Sequence, residues 1–342
     1  MLCWQIYIWF FLPIATTVAV HYECLPYPVR SVCKIEHISY HPGDQISFPA
    51  GYQQYHIRLP KSMRKTSSRV THFDHQLYEA MHRPTSIEMI RVGLKELSLP
   101  TKLLLGDFSN NEIDSVNTTN EDNFHITYLD LSSNKLRNMN FVSALVNLEI
   151  LHLGFNLIKV IPNSVLSTLT KLKYFYLQHN YFISSIPWND IPRSTIHLDF
   201  NTNNLTEVVL TNISLPSLEY LNIRHNTLLK FNVTELLRAA PNLKEAYLLN
   251  SDLGEIQMRK IYAELTANNV TFKSPFKECE YDEESDMPYE ACMTSYQKDS
   301  SSKISLQTVL LYLVLVGNVV VFMCIVLLVF KLINRNLIRY LQ

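Results

Sequence analysis

Glycine is scarce in this chain, with 7 residues in 342. Dinucleotide and phosphate folds need glycine wherever a turn takes positive φ or the backbone closes on a ligand. Neither G-x-G-x-x-G nor G-x-x-x-x-G-K-[ST] occurs. A surplus of one charge is also missing: 30 Lys+Arg stand against 31 Asp+Glu, so no nucleic-acid partner is expected. There is no G-x-S-x-G, no H-E-x-x-H and no cysteine in an activated setting, so the expectation is no catalytic centre, no cofactor and no metal. What the chain does have is a 47% hydrophobic composition and 19 tyrosines.

The longest apolar runs lie near the two ends. Residues 4–19 carry no charge and finish on small residues, Thr17 and Ala19, as before a signal-peptidase site, so residues 1–20 are expected to be a signal peptide. Residues 306–330 are uncharged over a length that crosses a bilayer, and 304–330 are expected to form one transmembrane helix. Lys331, Arg335 and Arg339 follow it. The positive-inside rule then places 331–342 in the cytoplasm as a short tail and the rest outside, a single-pass type I protein of the plasma membrane. Within the span, Asn318 is an amide that gains by meeting a partner helix, so a second membrane protein or a homodimer is the expected membrane partner.

In an oxidising compartment the ectodomain cysteines pair. The pairing favoured by proximity is Cys24 with Cys33 and Cys279 with Cys292. Asn117, Asn204, Asn212, Asn232 and Asn269 each open an N-x-S/T sequon and are expected to carry glycans.

Between the apolar runs one template recurs at a period near 23 residues, L-x-x-L-x-L-x-x-N-x-L. Clean copies begin at Ile126, Leu148, Leu172 and Leu218, weaker ones at Leu103, Thr195 and Leu243, and a poor one at Ile87. Each copy predicts a short strand with alternate residues turned inward, then a turn and a returning segment. The ninth position holds Asn111, Asn134, Asn156, Asn180, Asn203 and Asn226. Buried amides of that kind are tolerable only when bonded to backbone groups of adjacent turns, so a structural ladder is expected. Repeats are assigned to 87–253, an N-terminal cap without repeats to 21–86, and a C-terminal cap with an acidic and polar stalk to 254–303.

Template positions 3, 5, 7 and 8 point away from the core, onto the face that repeat arrays use for binding. The candidate ligand-binding residues there are Tyr128, Asp130, His152, Phe155, Tyr174, Tyr176, His179, His197, Asp199, Tyr220, Arg224, His225 and Tyr247. Tyrosine and arginine bury area while keeping a polar tip, which suits a protein or glycan ligand. The same tyrosines would also stack as a simple cross-strand ladder. The histidines would be sensors of endosomal acid if they titrated near their ordinary pKa.

The repeat register, the two-cysteine cap and the single span resemble the insect leucine-rich-repeat immune molecules, particularly their small transmembrane members, and more distantly Toll-type ectodomains. The resemblance implies an α/β leucine-rich-repeat solenoid: a curved parallel sheet of about seven to eight repeats between N- and C-terminal disulfide caps, followed by one transmembrane helix. It implies a cell-surface recognition protein or co-receptor of innate immunity. The chain departs from the longer soluble members in lacking a C-terminal coiled coil, and from Toll-type receptors in lacking an intracellular signalling domain. Alternative roles are a cell-adhesion or developmental receptor subunit, and a shed regulator of an extracellular enzyme or complex.

Overall fold

The computed structural model describes residues 19–26, 31–59, 69–118, 124–248 and 253–272. The expected signal peptide through residue 18, Cys279, Cys292, the stalk, the span with Asn318 and the tail lie outside them. Among the described residues no helix is long and apolar enough to cross a membrane.

Ten strands form one sheet, all parallel and in chain order. They are β1 (Val32–Ile35), β2 (Gln54–Arg58), β3 (Ser86–Ile90), β4 (Leu105–Asp107) and β5 (Tyr128–Asp130), then β6 (Ile150–His152), β7 (Tyr174–Tyr176), β8 (His197–Asp199), β9 (Tyr220–Asn222) and β10 (Glu245–Tyr247). Each strand pairs with the next without slippage, template position 3 on position 3, as in Tyr128 with Ile150, Tyr174 with His197 and Tyr220 with Glu245. Consecutive strands of one handed winding can pair only in this parallel, turn-by-turn way, and each turn buries its apolar face against its neighbours.

The sheet begins earlier than the sequence period suggests. Residues 21–86, expected as a cap without repeats, supply β1 and β2 and the first residue of β3. Their core positions are filled by Cys33, Tyr55 and Ile57, all buried, where a leucine template looks for Leu. The intervals between turns there are also uneven, which hides the period. The poor copy read from Ile87 is three residues out of register. Ser86, not Met89, pairs with Leu105, so Ile87 and Met89 take the buried fourth and sixth positions.

Gly106 sits where other turns carry a core Leu. A Cβ there would lie 2.8 Å from the Phe108 ring, and that ring packs 5.5 Å from Phe73. The absent side chain leaves room for two large ones.

The returning segments are turns, single helical turns and short strands, with three helices among the described residues: α1 (His75–Ala80), α2 (Val233–Ala239) and α3 (Glu255–Ala267). Asp74 and Asn232 cap the first two, each side chain accepting from the backbone N–H three residues on. A second parallel sheet runs through His72–Phe73, Glu96–Leu99 and Ser115–Thr118. At the far end, α3 buries Met258, Ile261, Tyr262 and Leu265. Beyond it Thr271 pairs in parallel with Glu245 at the edge of β10. Cys24 and Cys33 are disulfide-bonded, with Cα atoms 5.0 Å apart, and Cys33 lies in β1 facing the core.

All six ninth-position asparagines are buried, and each amide spans two turns. Asn156 accepts from the Leu136 N–H at 3.0 Å and donates to the Leu131 carbonyl at 2.9 Å in the preceding turn and to the Leu153 carbonyl at 3.0 Å in its own. Asn134, Asn180 and Asn226 repeat the pattern. Asn111, the first rung, accepts from Val92, Gly93 and Leu94 together. Asn203 accepts from the Asn180 N–H instead of a residue two further on, which marks a disturbed turn described below.

Candidate functional site: the aromatic track on the open sheet face

In β4 to β10 the middle residue of each strand is buried, and the flanking third and fifth positions stand on the open face, partly exposed save for buried Asn222 and exposed Leu105. Strand pairing therefore lines up residues about 23 positions apart. At the fifth position Asp107, Asp130 and Asp199 each accept the backbone N–H two residues on, at 3.0, 2.8 and 2.9 Å, closing the turn that leads to the ladder. Asp199 also accepts the Asn222 amide at 3.1 Å. Burial pushes the carboxyls of Asp107 and Asp199 upward from the ordinary range, against these bonds. Asp130 and Asp199, candidates for ligand contact, are thus partly engaged in holding the backbone.

β6 and β7 carry rings at that position instead, and a continuous track results. His152 and Tyr176 lie parallel, centroids 4.2 Å apart with 5° between planes. His197 and Tyr220 do the same at 3.9 Å and 5°. Tyr176 and His197 join the pairs at 4.7 Å. Tyr128 extends the track beyond His152 at 5.8 Å, and Tyr247 beyond Tyr220 at 5.4 Å. The Arg224 guanidinium carbon lies 5.3 Å from the Tyr247 ring centre, a cation–π contact. Tyr174 leans on His197 at 6.2 Å.

Burial among the rings changes their titration. It pushes the His197 imidazole down to about 4 and also lowers His152, the latter against the pull of Asp130. Desolvation penalises the His197 imidazolium more than Glu245 favours it, which argues against acid sensing by this residue. The Tyr128 and Tyr220 hydroxyls are pushed up to about 12, chiefly by burial. The hydroxyls of Tyr174, Tyr176 and Tyr220 have no hydrogen-bond partner among the described residues.

Phe155, His179 and His225 occupy the eighth position, just past the strands. The backbone is left-handed at this position in every laddered turn: Asn110, Ser133, Phe155, His179, Thr202 and His225 all have φ between 53° and 58°. That conformation suits Asn and is costly for a bulky residue. Phe155 nevertheless stands half-exposed, stacked on His179 at 4.2 Å. His225 is exposed and enters neither stack.

Sequence reasoning missed Tyr181 and Phe182. The template assigns Phe182 to a core position, but Ile183 fills it, and Phe182 is pushed out to 51% exposure beside Tyr181 at 58%. The signal was present as three consecutive large residues, Tyr-Phe-Ile, where the template has room for one inward side chain. Lys159 lies 5.4 Å from the centre of the Phe182 ring. The sequon asparagines Asn117, Asn204, Asn212, Asn232 and Asn269 are all exposed and none belongs to β1 to β10. Among the described residues, no group of three or more His, Cys, Asp or Glu is placed to hold a metal ion.

Residues 146–190 match the family model described as Leucine Rich repeats (2 copies). No curated protein matches the chain. Among solved structures, the chain is similar to the functional domain of InlJ from Listeria monocytogenes, at 18% identity over 60% of this chain and 54% of that one, with a TM-score of 0.37. It thus spans about half the length of that protein. It is also similar to a chain of the octameric complex of Latrophilin 3, Unc5D and FLRT2, in which FLRT2 is the leucine-rich-repeat component. That match has 18% identity over 74% of this chain and 87% of that one, with a TM-score of 0.52. The register of the sheet, the asparagine ladder, the family match over residues 146–190 and the second of these structural likenesses agree on the fold, a solenoid of the leucine-rich-repeat kind.

Proposed function

We propose that this chain is a ligand-binding leucine-rich-repeat protein whose open sheet face receives an extracellular protein or glycan. The observation that carries this reading is the continuous track from Tyr128 to Tyr247. A row of partly exposed rings in which the central Tyr176 and Tyr220 hydroxyls have no partner among the described residues is the composition of an interface centre, where Tyr and Arg concentrate binding energy. The exposed sequons leave that face bare of glycan, which supports the same reading. With the expected span, the protein is read as a type I surface receptor or co-receptor, with Asn318 meeting a second membrane protein or another copy. Innate immunity is the setting that the insect-family resemblance favours. A receptor subunit in adhesion is the second reading, favoured by the fold likeness to a component of the Latrophilin 3 and Unc5D complex.

Proximity labelling on intact cells, with the full chain as bait, tests the binding face. Replacing Tyr174, Tyr176 and Tyr220 together with Ala is expected to remove most extracellular partners while leaving the thermal transition in place. Unchanged partners in a folded variant would sink the proposal.

A further inference from the structure

The four central rings of the track have a ring neighbour on each side and so turn edges, more than faces, to the outside. His152 has Tyr176 on one side and Tyr128 on the other; Tyr176 lies between His152 and His197; His197 lies between Tyr176 and Tyr220; Tyr220 lies between His197 and Tyr247. Centroid spacings of 3.9 and 4.2 Å at 5° leave no gap inside the two parallel pairs. At the Tyr247 end, Arg224 lies against the ring. A sugar recognised by an aromatic residue lays its C–H groups on a ring face. To do so on any of the four central rings it would first have to part a stack, giving up about 0.5–1.5 kcal/mol per ring pair.

What remains available is the ring perimeter, which carries the positive end of the aromatic quadrupole, together with the hydroxyls of Tyr174, Tyr176 and Tyr220. Carbonyl oxygens and amide groups of a polypeptide match that surface. The charge on the same face is one-sided. Asp107, Asp130, Asp199 and Glu245 occupy third and fifth positions of β4 to β10, and Arg224 is the only Lys or Arg among the third, fifth and seventh positions described there. Asp199 is spent on Asn201 and Asn222, and Asp107 lies one strand beyond the last ring of the track, so the carboxylates at its two ends are Asp130 beside Tyr128, which also accepts the Ser132 N–H, and Glu245 beside Tyr247, which also accepts that hydroxyl. From β5 to β10 the track crosses five strand spacings, about 24 Å, the reach of about seven residues of extended chain.

Resting on the reading that this face binds a ligand, we propose that the ligand is an extended polypeptide segment bearing Lys or Arg, laid across the strands with its cations at Asp130 and Glu245, and not a glycan seated on a ring face.

Fluorescence anisotropy with the detergent-solubilised full chain tests this, using a labelled nonapeptide of alternating Ser and Arg, its Ser and Glu counterpart, and a panel of neutral and acidic oligosaccharides. The Arg peptide is expected to bind and the Glu peptide and sugars not. Asp130→Asn with Glu245→Gln, which keeps the acceptors for Ser132 and Tyr247, is expected to weaken the Arg peptide at least about tenfold, as loss of close charge pairs does. Asp114→Asn with Glu207→Gln, exposed and off the face, is expected to change nothing, and Tyr176→Ala with Tyr220→Ala to weaken binding. If both carboxylate pairs weaken the peptide equally, the attraction is general and the inference is overturned. An oligosaccharide that binds in a Tyr176- and Tyr220-dependent way, without the Arg peptide, overturns it too while leaving the binding face intact. Absence of all binding also overturns it, and the proximity labelling above then decides separately whether the face is used.

Discussion

The first three turns of the solenoid and the turns that follow share one sheet but satisfy their interiors differently. From β4 onward, buried asparagine amides bridge successive turns. In the β1 to β3 region the corresponding described positions hold Ile38 and Val92, both buried, and tyrosine hydroxyls take over the polar work. Tyr55 donates to the Pro49 carbonyl at 2.9 Å, Tyr78 to the Pro84 carbonyl at 3.0 Å, Tyr22 to the Ser39 carbonyl at 2.7 Å, and Tyr40 to the Asp74 carboxylate at 2.8 Å. The reason is geometric. A short amide can bridge turns only if every turn presents its carbonyls at the same height, whereas a phenol carries its hydroxyl across a core of variable width. Uneven turns therefore use long polar-tipped side chains and a disulfide, and even turns use the ladder.

The comparison is tested most severely in the ladder. Asn156→Leu orphans the buried Leu136 N–H, takes one of two amide donors from each of the Leu131 and Leu153 carbonyls, and puts an apolar side chain among polar backbone groups; it is expected to cost about 3–5 kcal/mol, read as a fall in the urea midpoint. Removing the disulfide with Cys24→Ser and Cys33→Ala is expected to cost about 2–3 kcal/mol from the loss of loop constraint; a proteolysis assay should show the damage confined to the first turns. Tyr78→Phe, which orphans one carbonyl, is expected to cost about 1–2 kcal/mol. Should it equal Asn156→Leu, the division of labour drawn above is wrong.

The smallest effect is acid sensitivity of the central turns. His197 has its folded pKa near 4, below the unfolded value near 6.5. Between these values the unfolded chain binds the extra proton, so stability rises with pH across this window and is lost as pH falls through it. At pH 5 the loss is expected to be about 1 kcal/mol after allowing for solvent screening of a partly exposed ring. His197→Gln should flatten that part of the pH–stability curve, and an unchanged slope would show that the ring is not desolvated as described.

Legibility followed regularity. The copies from Leu103 to Leu243 were visible because leucine spacing and a recurring Asn are statements about the local chain, and their strands lie where the template put them. β1 and β2 were invisible because Cys33 and Tyr55 stand in for leucine, and β3 was misplaced by three residues because Ile87 and Ile90 both look like template leucines. Of the candidate face, residue identities could be listed from the third and fifth positions. It was not legible that Asp199 is consumed by Asn201 and Asn222, or that Phe182 yields the core to Ile183.

By itself, then, the sequence determined the period, the inward and outward alternation and the need for bonded asparagines, since a buried amide without partners is too costly to recur six times. Only the tertiary structure decided which rings meet. His152, Tyr176, His197 and Tyr220 are separated by more than twenty residues at each step, and they become neighbours solely because parallel pairing brings each turn beside the next. With their faces turned to one another, the same four residues offer a ligand edges, hydroxyls and nearby carboxylates, which no list of residue types along the chain contains.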